Sequence, residues 1–241
     1  MSLYDVLYRD GDVIVVNKTP GLLSQPDRSG DPDLLTLLSR ETGRPVFPVH
    51  RLDRGVGGLV AVAANERAAG VLSAQIANEN GRFRKEYLTV VHGRFEQTEG
   101  ELSDWLLREE RRRITRVVPQ GTPGAKDARL AYRVLGESDA LGVTLSLVAV
   151  RLFTGRTHQI RAQMSNAGHP VAGDGRYGAH DRFPPIALFS SYLSFPHPET
   201  GKTLCFSARP TRSPFDRFSI AFSEDDNFPD EGEGKGERSR D

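Results

Sequence analysis

The chain has 241 residues, enough for one sizeable domain or two small ones, with 37% apolar and 27% charged residues, a balance that excludes a disordered polymer and fits a globular fold. Lysine and arginine together number 32, as do aspartate and glutamate, but this neutrality is uneven: the last 18 residues (224–241) carry eight acids and three bases, which leaves 29 bases against 24 acids in residues 1–223. No apolar run reaches bilayer length, the start MSLYDVLYRDGD lacks the pattern of a secretory signal, and the lone cysteine, Cys205, excludes an internal disulfide, so a cytoplasmic chain is expected.

In chain order, YDVLYRDGDVIVVNKTPGLL reads as two short strands joined at Asp10-Gly11-Asp12. Asp31-Pro32-Asp33 then opens a helix over LLTLLSRET, with a cap candidate, a proline in the first turn and a stop at Gly43. Pro45 and Pro48 keep the chain extended into His50-Arg51-Leu52-Asp53-Arg54, followed by Gly55, Gly57 and Gly58 and the apolar strand Leu59–Ala63. Asn65 opens a second helix, ERAAGVLSAQIANEN. Strand signals dominate thereafter at Lys85–Val91, Arg112–Val118, Arg129–Leu135 and Val143–Leu152, with a last helix from Thr157 to Ala167 and closing strands at Ile186–Phe195 and Thr203–Ala208. In Thr-Leu-Cys-Phe-Ser, Cys205 is expected to be buried in a strand. One mixed α/β domain over 1–223 with a largely antiparallel sheet is expected, and the acidic 224–241 segment reads as a disordered tail.

Three segments hold chemistry-bearing residues. In PVHRLDRGVGGLVAVA (48–63) Asp53 stands between Arg51 and Arg54; residues two apart in extended backbone share a face, so Arg51 can favour the ionised carboxylate that a nucleophile requires. Spacing alone favours the plainer reading, a structural Asp–Arg pair on a surface loop. In RLFTGRTHQIRAQMSNAGHP (151–170) a turn at Gly155 leads into a helix entry with Arg156, His158, Gln159 and Arg161; His158 and Arg161 share a face, while Ile160, Met164 and Ala167 make the core stripe. Basic groups at a helix N-terminus form an anion site, although a basic surface helix accounts for the pattern equally well. In RFRKEYLTVVHG (82–93) Lys85 and Tyr87 share a strand face, and an aromatic among cations can stack on a base, although packing is the commoner use of a strand tyrosine. Further basic groups, at Arg82 and Arg84 and at Arg108, Arg111, Arg112, Arg113 and Arg116, suit a polyanion or simply a solvated surface.

Two motifs are set aside. Gly173-Asp-Gly-Arg-Tyr-Gly178 matches a dinucleotide fingerprint but follows His-Pro rather than a core strand, and no helix can start in AHDRFPP. His158, His169 and His180 lack metal-ligand spacing.

Taken together, VVNKTPGLLS (15–24), HRLDRGVGGL (50–59), KEYLTVVHG (85–93), GRTHQIRAQMSNAGHPVAGDGRYG (155–178) and the closing HP…GK…F (197–206) resemble, in order, the catalytic domain of the RluA-type RNA pseudouridine synthases of large ribosomal and transfer RNA. The resemblance implies an α+β fold: a single pseudouridine-synthase-like catalytic domain with a largely antiparallel mixed sheet flanked by helices. It implies isomerisation of uridine to pseudouridine in structured RNA, with no metal, cofactor or membrane, by a monomer. Carried over residue by residue, Asp53 is the catalytic aspartate, Tyr87 packs on the target base and assists proton removal, and Arg161 pairs with the aspartate. Arg51, Arg54, Lys85, Arg156, His158 and Gln159 are expected to bind substrate. Asp53 would attack the sugar, take a sugar proton or add to the ring; the sequence leaves these open.

The chain departs from the family pattern in reading Val56-Gly57-Gly58 where Thr-Ser-Gly is usual, which puts the loop's hydrogen bonding in question, and RNA is expected to be gripped by the catalytic domain without an N-terminal RNA-binding appendage. The rival readings are an inactive RNA-binding or ribosome-assembly protein of the same fold, and an unrelated aspartate-based hydrolase, which would need a metal or oxyanion site.

Overall fold

The computed structural model describes residues 2–78, 81–140, 142–181 and 183–218; the 224–241 segment lies outside them. Its first hairpin follows from one side chain. Asp10 Oδ1 accepts the backbone N–H groups of Asp12 and Val13, both at 2.8 Å, which closes the turn between β1 (Tyr4–Arg9) and β2 (Val13–Lys18). Helix α1 (Leu34–Thr42) starts where Asp33 accepts Thr36 N–H and ends where Gly43 adopts a left-handed φ of 67°. Then come β3 (Phe47–Pro48), β4 (Gly57–Ala63), α2 (Glu66–Ala77), β5 (Arg84–His92), β6 (Glu99–Glu109), β7 (Ile114–Val118), β8 (Lys126–Ala140) and β9 (Val143–Leu152). Helix α3 (Gln159–Asn166), β10 (Leu188–Pro196) and β11 (Thr203–Ser207) complete the set.

Among the described residues the strands form one sheet in the order β1-β2-β4-β10-β5-β9-β8-β6-β7, with β3 paired to β4 and β11 to β10. Every pairing is antiparallel except β4 with β10. The sheet is therefore largely antiparallel and mixed, an α+β arrangement as expected.

Period-two alternation sorts the core. Val13 and Val15 of β2 and Leu59, Ala61 and Ala63 of β4 pack with Ala68 and Leu72 of α2 on one face. Ile14, Val16, Val60 and Val62 point the other way and join Leu34 and Leu38 of α1 and Ile160 and Met164 of α3. Strands β2 and β4 are buried on both faces, which is why their sequences are continuous apolar runs. Each fully buried leucine in this arrangement contributes about 2–3 kcal/mol.

The structure corrects four expectations. Helix α3 begins at Gln159 rather than Thr157, because His158 takes a left-handed backbone (φ 54°, ψ 24°) that interrupts a helix. Ala167 is exposed rather than part of the core stripe; it caps α3 at the surface, and residues 159–164 are buried all round. Cys205 is exposed: on β11, Leu204 and Phe206 turn towards the α2-side core, so alternation sends Cys205 outward. Strand β6 was not predicted, because its exposed Glu99, Glu101 and Ser103 break the apolar pattern.

The close pairing of β4 and β10 explains part of the glycine run. A Cβ on Gly58, whose φ is +109°, would lie 2.2 Å from the carbonyl oxygen of Ser190, and one on Gly57 would lie 2.9 Å from the ring of Pro20. Gly58→Ala is expected to lower stability by about 3 kcal/mol or more, whereas Gly43→Ala, in open space, should lose about 1 kcal/mol. Urea unfolding of the two variants checks the difference, and equal losses would refute it.

Candidate active site

Asp53 sits in the loop that leads into β4, and its neighbours hold that loop from both sides. Ser24 Oγ accepts Leu52 N–H at 3.0 Å and donates to the Leu52 carbonyl at 2.8 Å. Gly21 N–H donates to the Arg54 carbonyl at 2.7 Å, and Val56 N–H to the Asp53 carbonyl at 3.0 Å. His50, just upstream, accepts Ala61 N–H on Nε2 at 3.0 Å, and burial, with the nearby Lys85, lowers its pKa to about 3. The ring is thus neutral and structural.

The second half of the site comes from the entry to α3. The Gln159 carboxamide accepts the Thr154 hydroxyl (2.8 Å) and Arg156 N–H (2.9 Å), and donates to the Arg129 carbonyl (3.1 Å). This shapes the turn that aims His158 and Arg161 at Asp53. Arg161 is a fork with its side chain only 8% exposed. Its Nε and Nη2 donate to the two oxygens of Asp174 at 2.6 and 2.9 Å, and its Nη1 donates to Asp53 Oδ2 at 2.9 Å. Tyr177 lies under the guanidinium, 4.8 Å from ring centre to Cζ.

Burial alone would lower the Arg161 pKa, but the hydrogen bonds and charges of Asp174 and Asp53 outweigh it and raise the pKa, so the cation is permanent. Lys18 is a second buried cation nearby: Nζ donates to the Leu22 carbonyl at 2.8 Å, and burial lowers its pKa to about 8 against the opposing pull of Asp53. Asp53 Oδ2 is occupied by Arg161, while Oδ1 receives no hydrogen bond among the described residues.

His158 Nε2 lies 3.5 Å from Asp53 Oδ2, and Nδ1 is 2.8 Å from the Tyr177 hydroxyl, which itself accepts Thr115 N–H at 2.8 Å. Burial lowers the His158 pKa to about 4, only partly opposed by Asp53, so the ring is neutral near pH 7. A carboxylate can only accept, so its approach to Nε2 assigns the one ring proton there and leaves Nδ1 to accept from Tyr177. On that assignment Thr115 N–H, Tyr177 O–H, His158 and Asp53 form one series.

Asp53, Arg51, Tyr87, Arg156, His158, Gln159 and Arg161 line one cavity of about 70 Å³, with Leu52, Val56, Leu152, Ile160 and Leu188 as its apolar walls. Two expected site residues lie outside this lining. Arg54 pairs with Asp31 at 2.6 Å and donates to the Gly21 carbonyl at 3.1 Å. Lys85 is buried beside Gly155, where burial and then Arg156 lower its pKa. Arg51 is exposed at the rim. Among the described residues no group of three His, Cys, Asp or Glu is placed to hold a metal.

Sequence reasoning missed Asp174, Tyr177 and Lys18. The first two belong to Gly173–Gly178, which is a tight turn rather than a nucleotide loop: a Cβ on Gly173 (φ +82°) would lie 2.0 Å from the Phe183 carbonyl. Their signal was the acid and aromatic within the block that also contains His158 and Arg161.

The chain is similar in sequence and fold to known proteins. The sequence profile of the RNA pseudouridylate synthases matches residues 12–166. An uncharacterized RNA pseudouridine synthase of Bacillus subtilis (strain 168) is 37% identical over 211 residues, covering 85% of this chain and 71% of that protein. The tRNA pseudouridine synthase C of Yersinia pestis is 30% identical, covering 86% of each chain. Among solved structures, human RNA pseudouridylate synthase domain containing 1 superposes with a TM-score of 0.72 at 26% identity, covering 87% of this chain and 85% of that one. The chain belongs to the RNA pseudouridine synthase family and is an isomerase of uridine in RNA.

Two outcomes follow for the histidines. Imidazole ¹⁵N shifts should show the Nε2–H tautomer of His158, and Asp53→Ala should convert it to a mixture, while Tyr177→Phe should leave Thr115 N–H buried and unpaired, a loss of about 1–3 kcal/mol. A pure Nε2–H tautomer that persists in Asp53→Ala would refute the assignment. His50 and His158 both have folded pKa values below the ordinary 6.5, so the unfolded chain binds protons first as pH falls. Their stabilising effect is complete above about pH 6.5 and declines towards about pH 4; a urea midpoint that is no lower at pH 5 than at pH 7 would contradict this.

Proposed function

We propose that the chain converts specific uridines to pseudouridine in structured ribosomal or transfer RNA, with Asp53 as the catalytic carboxylate acting on a base flipped out of its stack. The observation that carries this reading is the arrangement of Arg161: one cation orients Asp53 through Oδ2 and leaves Oδ1 facing no other hydrogen-bond donor among the described residues. A uracil stacked and paired in a helix does not present its glycosidic bond to a carboxylate on a cavity wall, so the base reaches Asp53 only after it leaves the stack. There the bond from the sugar to uracil N1 breaks, a bond from the sugar to C5 forms, the C5 hydrogen is released to solvent as a proton, and N1 takes up a proton in its place.

The remaining residues divide by environment. Tyr87 is buried, and burial followed by the charge of Asp53 raises its pKa; the phenol stays protonated, which favours packing on the uracil over removal of its C5 proton. Arg51 and Arg156, at the cavity wall, take the nucleotide's polar edge or its phosphate. Gln159, whose amide is engaged within the chain, positions the loop rather than binding substrate. Arg54 and Lys85 act on the loop and wall behind the cavity. No cofactor is required for a reaction that only moves a bond within one nucleotide.

Tritium release from RNA labelled at uracil C5 tests the assignment. Asp53→Ala should release none, and persistent release would overturn the role of Asp53. Arg161→Ala should reduce turnover by about a hundredfold or more with RNA affinity changed severalfold at most, since it acts on a transition-state group. Equal losses of both would make Arg161 a phosphate contact instead. RNA binding without release by the wild-type chain would favour an inactive RNA-binding protein of this fold.

A further inference from the structure

Beside the Asp53 cavity lies a larger groove of about 310 Å³, between β6, β7, β8 and the 155–157 turn. Three cations line it, Arg108 of β6, Lys126 at the start of β8 and Arg156 of the turn; Glu110 is its one acid and is largely exposed. Arg156 lines both cavities, so the two share a wall.

Arg108 is the informative residue. Its Nη1 is buried and has no hydrogen-bond partner among the described residues, and its nearest ion-pair contact, Nε to Glu110, is 3.8 Å long. The side chain as a whole is 28% exposed, so the outer guanidinium N–H groups open to the groove with no closer acceptor among the described residues than that long contact, and an anion seated there would pair with the charge. Arg156 is preset differently: its Nε donates to the Asp127 carbonyl at 2.9 Å, which holds the side chain between the two cavities. Gly124 and Gly155 leave that side of the groove without bulk. Thr115 of β7, also in the lining, donates its N–H to Tyr177 and so joins the groove to the His158 series.

We propose that this groove binds a backbone phosphate of the RNA, that of a nucleotide adjoining the uridine in the Asp53 cavity. The inference rests on the reading of RNA as substrate given above. A phosphodiester supplies the acceptors that Arg108 lacks, and the shared Arg156 wall places it next to the flipped nucleotide. Seating the phosphate holds the strand in register while the base turns into the cavity.

The test is the salt dependence of binding of a short fluorescein-labelled oligouridylate to the full chain. Arg108→Gln and the exposed Lys126→Gln should each weaken binding roughly three- to tenfold and flatten the slope of log Kd against log salt by about 0.7, the value for one phosphate contact on a single strand. Arg9→Gln, on the opposite sheet edge and paired with Glu41, should keep the wild-type slope. Millimolar inorganic phosphate should leave these differences intact; if it abolishes them, the groove is a free-phosphate site and the proposal fails. A wild-type chain that binds and isomerises RNA, with slopes unchanged in both groove variants, overturns the phosphate site alone. A chain that neither binds RNA nor releases tritium overturns the functional reading and the site together.

Discussion

The site depends on the sharing of one guanidinium between two carboxylates. Asp174, 2% exposed, takes two of the Arg161 donors, and Asp53, 22% exposed, takes a third. A buried arginine with a single carboxylate partner would have unmet donors, and a buried Asp174 without Arg161 would be an uncompensated charge. The pair neutralises itself in the interior, and its surplus donor is aimed outward. Asp53 therefore meets a cation that cannot move to it or away from it, which places the carboxylate before any substrate arrives.

That arrangement requires two chain segments to meet over a sequence separation of about a hundred residues, and the sheet is what brings them together. The Asp53 loop enters β4, and β4 runs parallel to β10 at a distance only glycine permits at position 58. Strand β10 pairs with β5, which carries Tyr87, and β5 pairs with β9, whose end turns into α3. The Asp53 loop, the aromatic wall and the arginine are thus set by neighbouring strands of one layer. Val56 and Gly57 depart from the pattern that the resemblance implies, yet the loop is held by backbone hydrogen bonds and by Ser24.

The electrostatics of the site are asymmetric. Arg161 and Lys18 are cations near Asp53, whereas His158 is neutral because it is buried and flanked by Arg161 and Arg108. A charged imidazole would add a third cation to one carboxylate; a neutral one adds a directed N–H and a path to β7. The left-handed backbone of His158 serves the same end, since a helical conformation there would turn the ring along α3 instead of towards Asp53.

Much of this was legible in the residues. Asp10, Asp33 and Asn65 mark turns and caps through their own hydrogen bonds, and the β-branched runs mark the central strands, because both signals are local. The resemblance carried by HRLDR, KEY and HQIR singled out Asp53, Tyr87 and Arg161, which line the same cavity. Strand β6 was hidden because its partners, not its composition, make it a strand. Cys205 was misplaced because a five-residue edge strand gives alternation but not its phase. What Asp174 and Tyr177 bind, and the Nη1 of Arg108 that has no partner among the described residues, could be found only in three dimensions. The sequence by itself determined which short-range elements form and which carboxylate stands among cations. The tertiary structure decided which oxygen of that carboxylate is held, which tautomer faces it and which arginine lacks an acceptor, because hydrogen bonds between distant segments exist only once the sheet has aligned them.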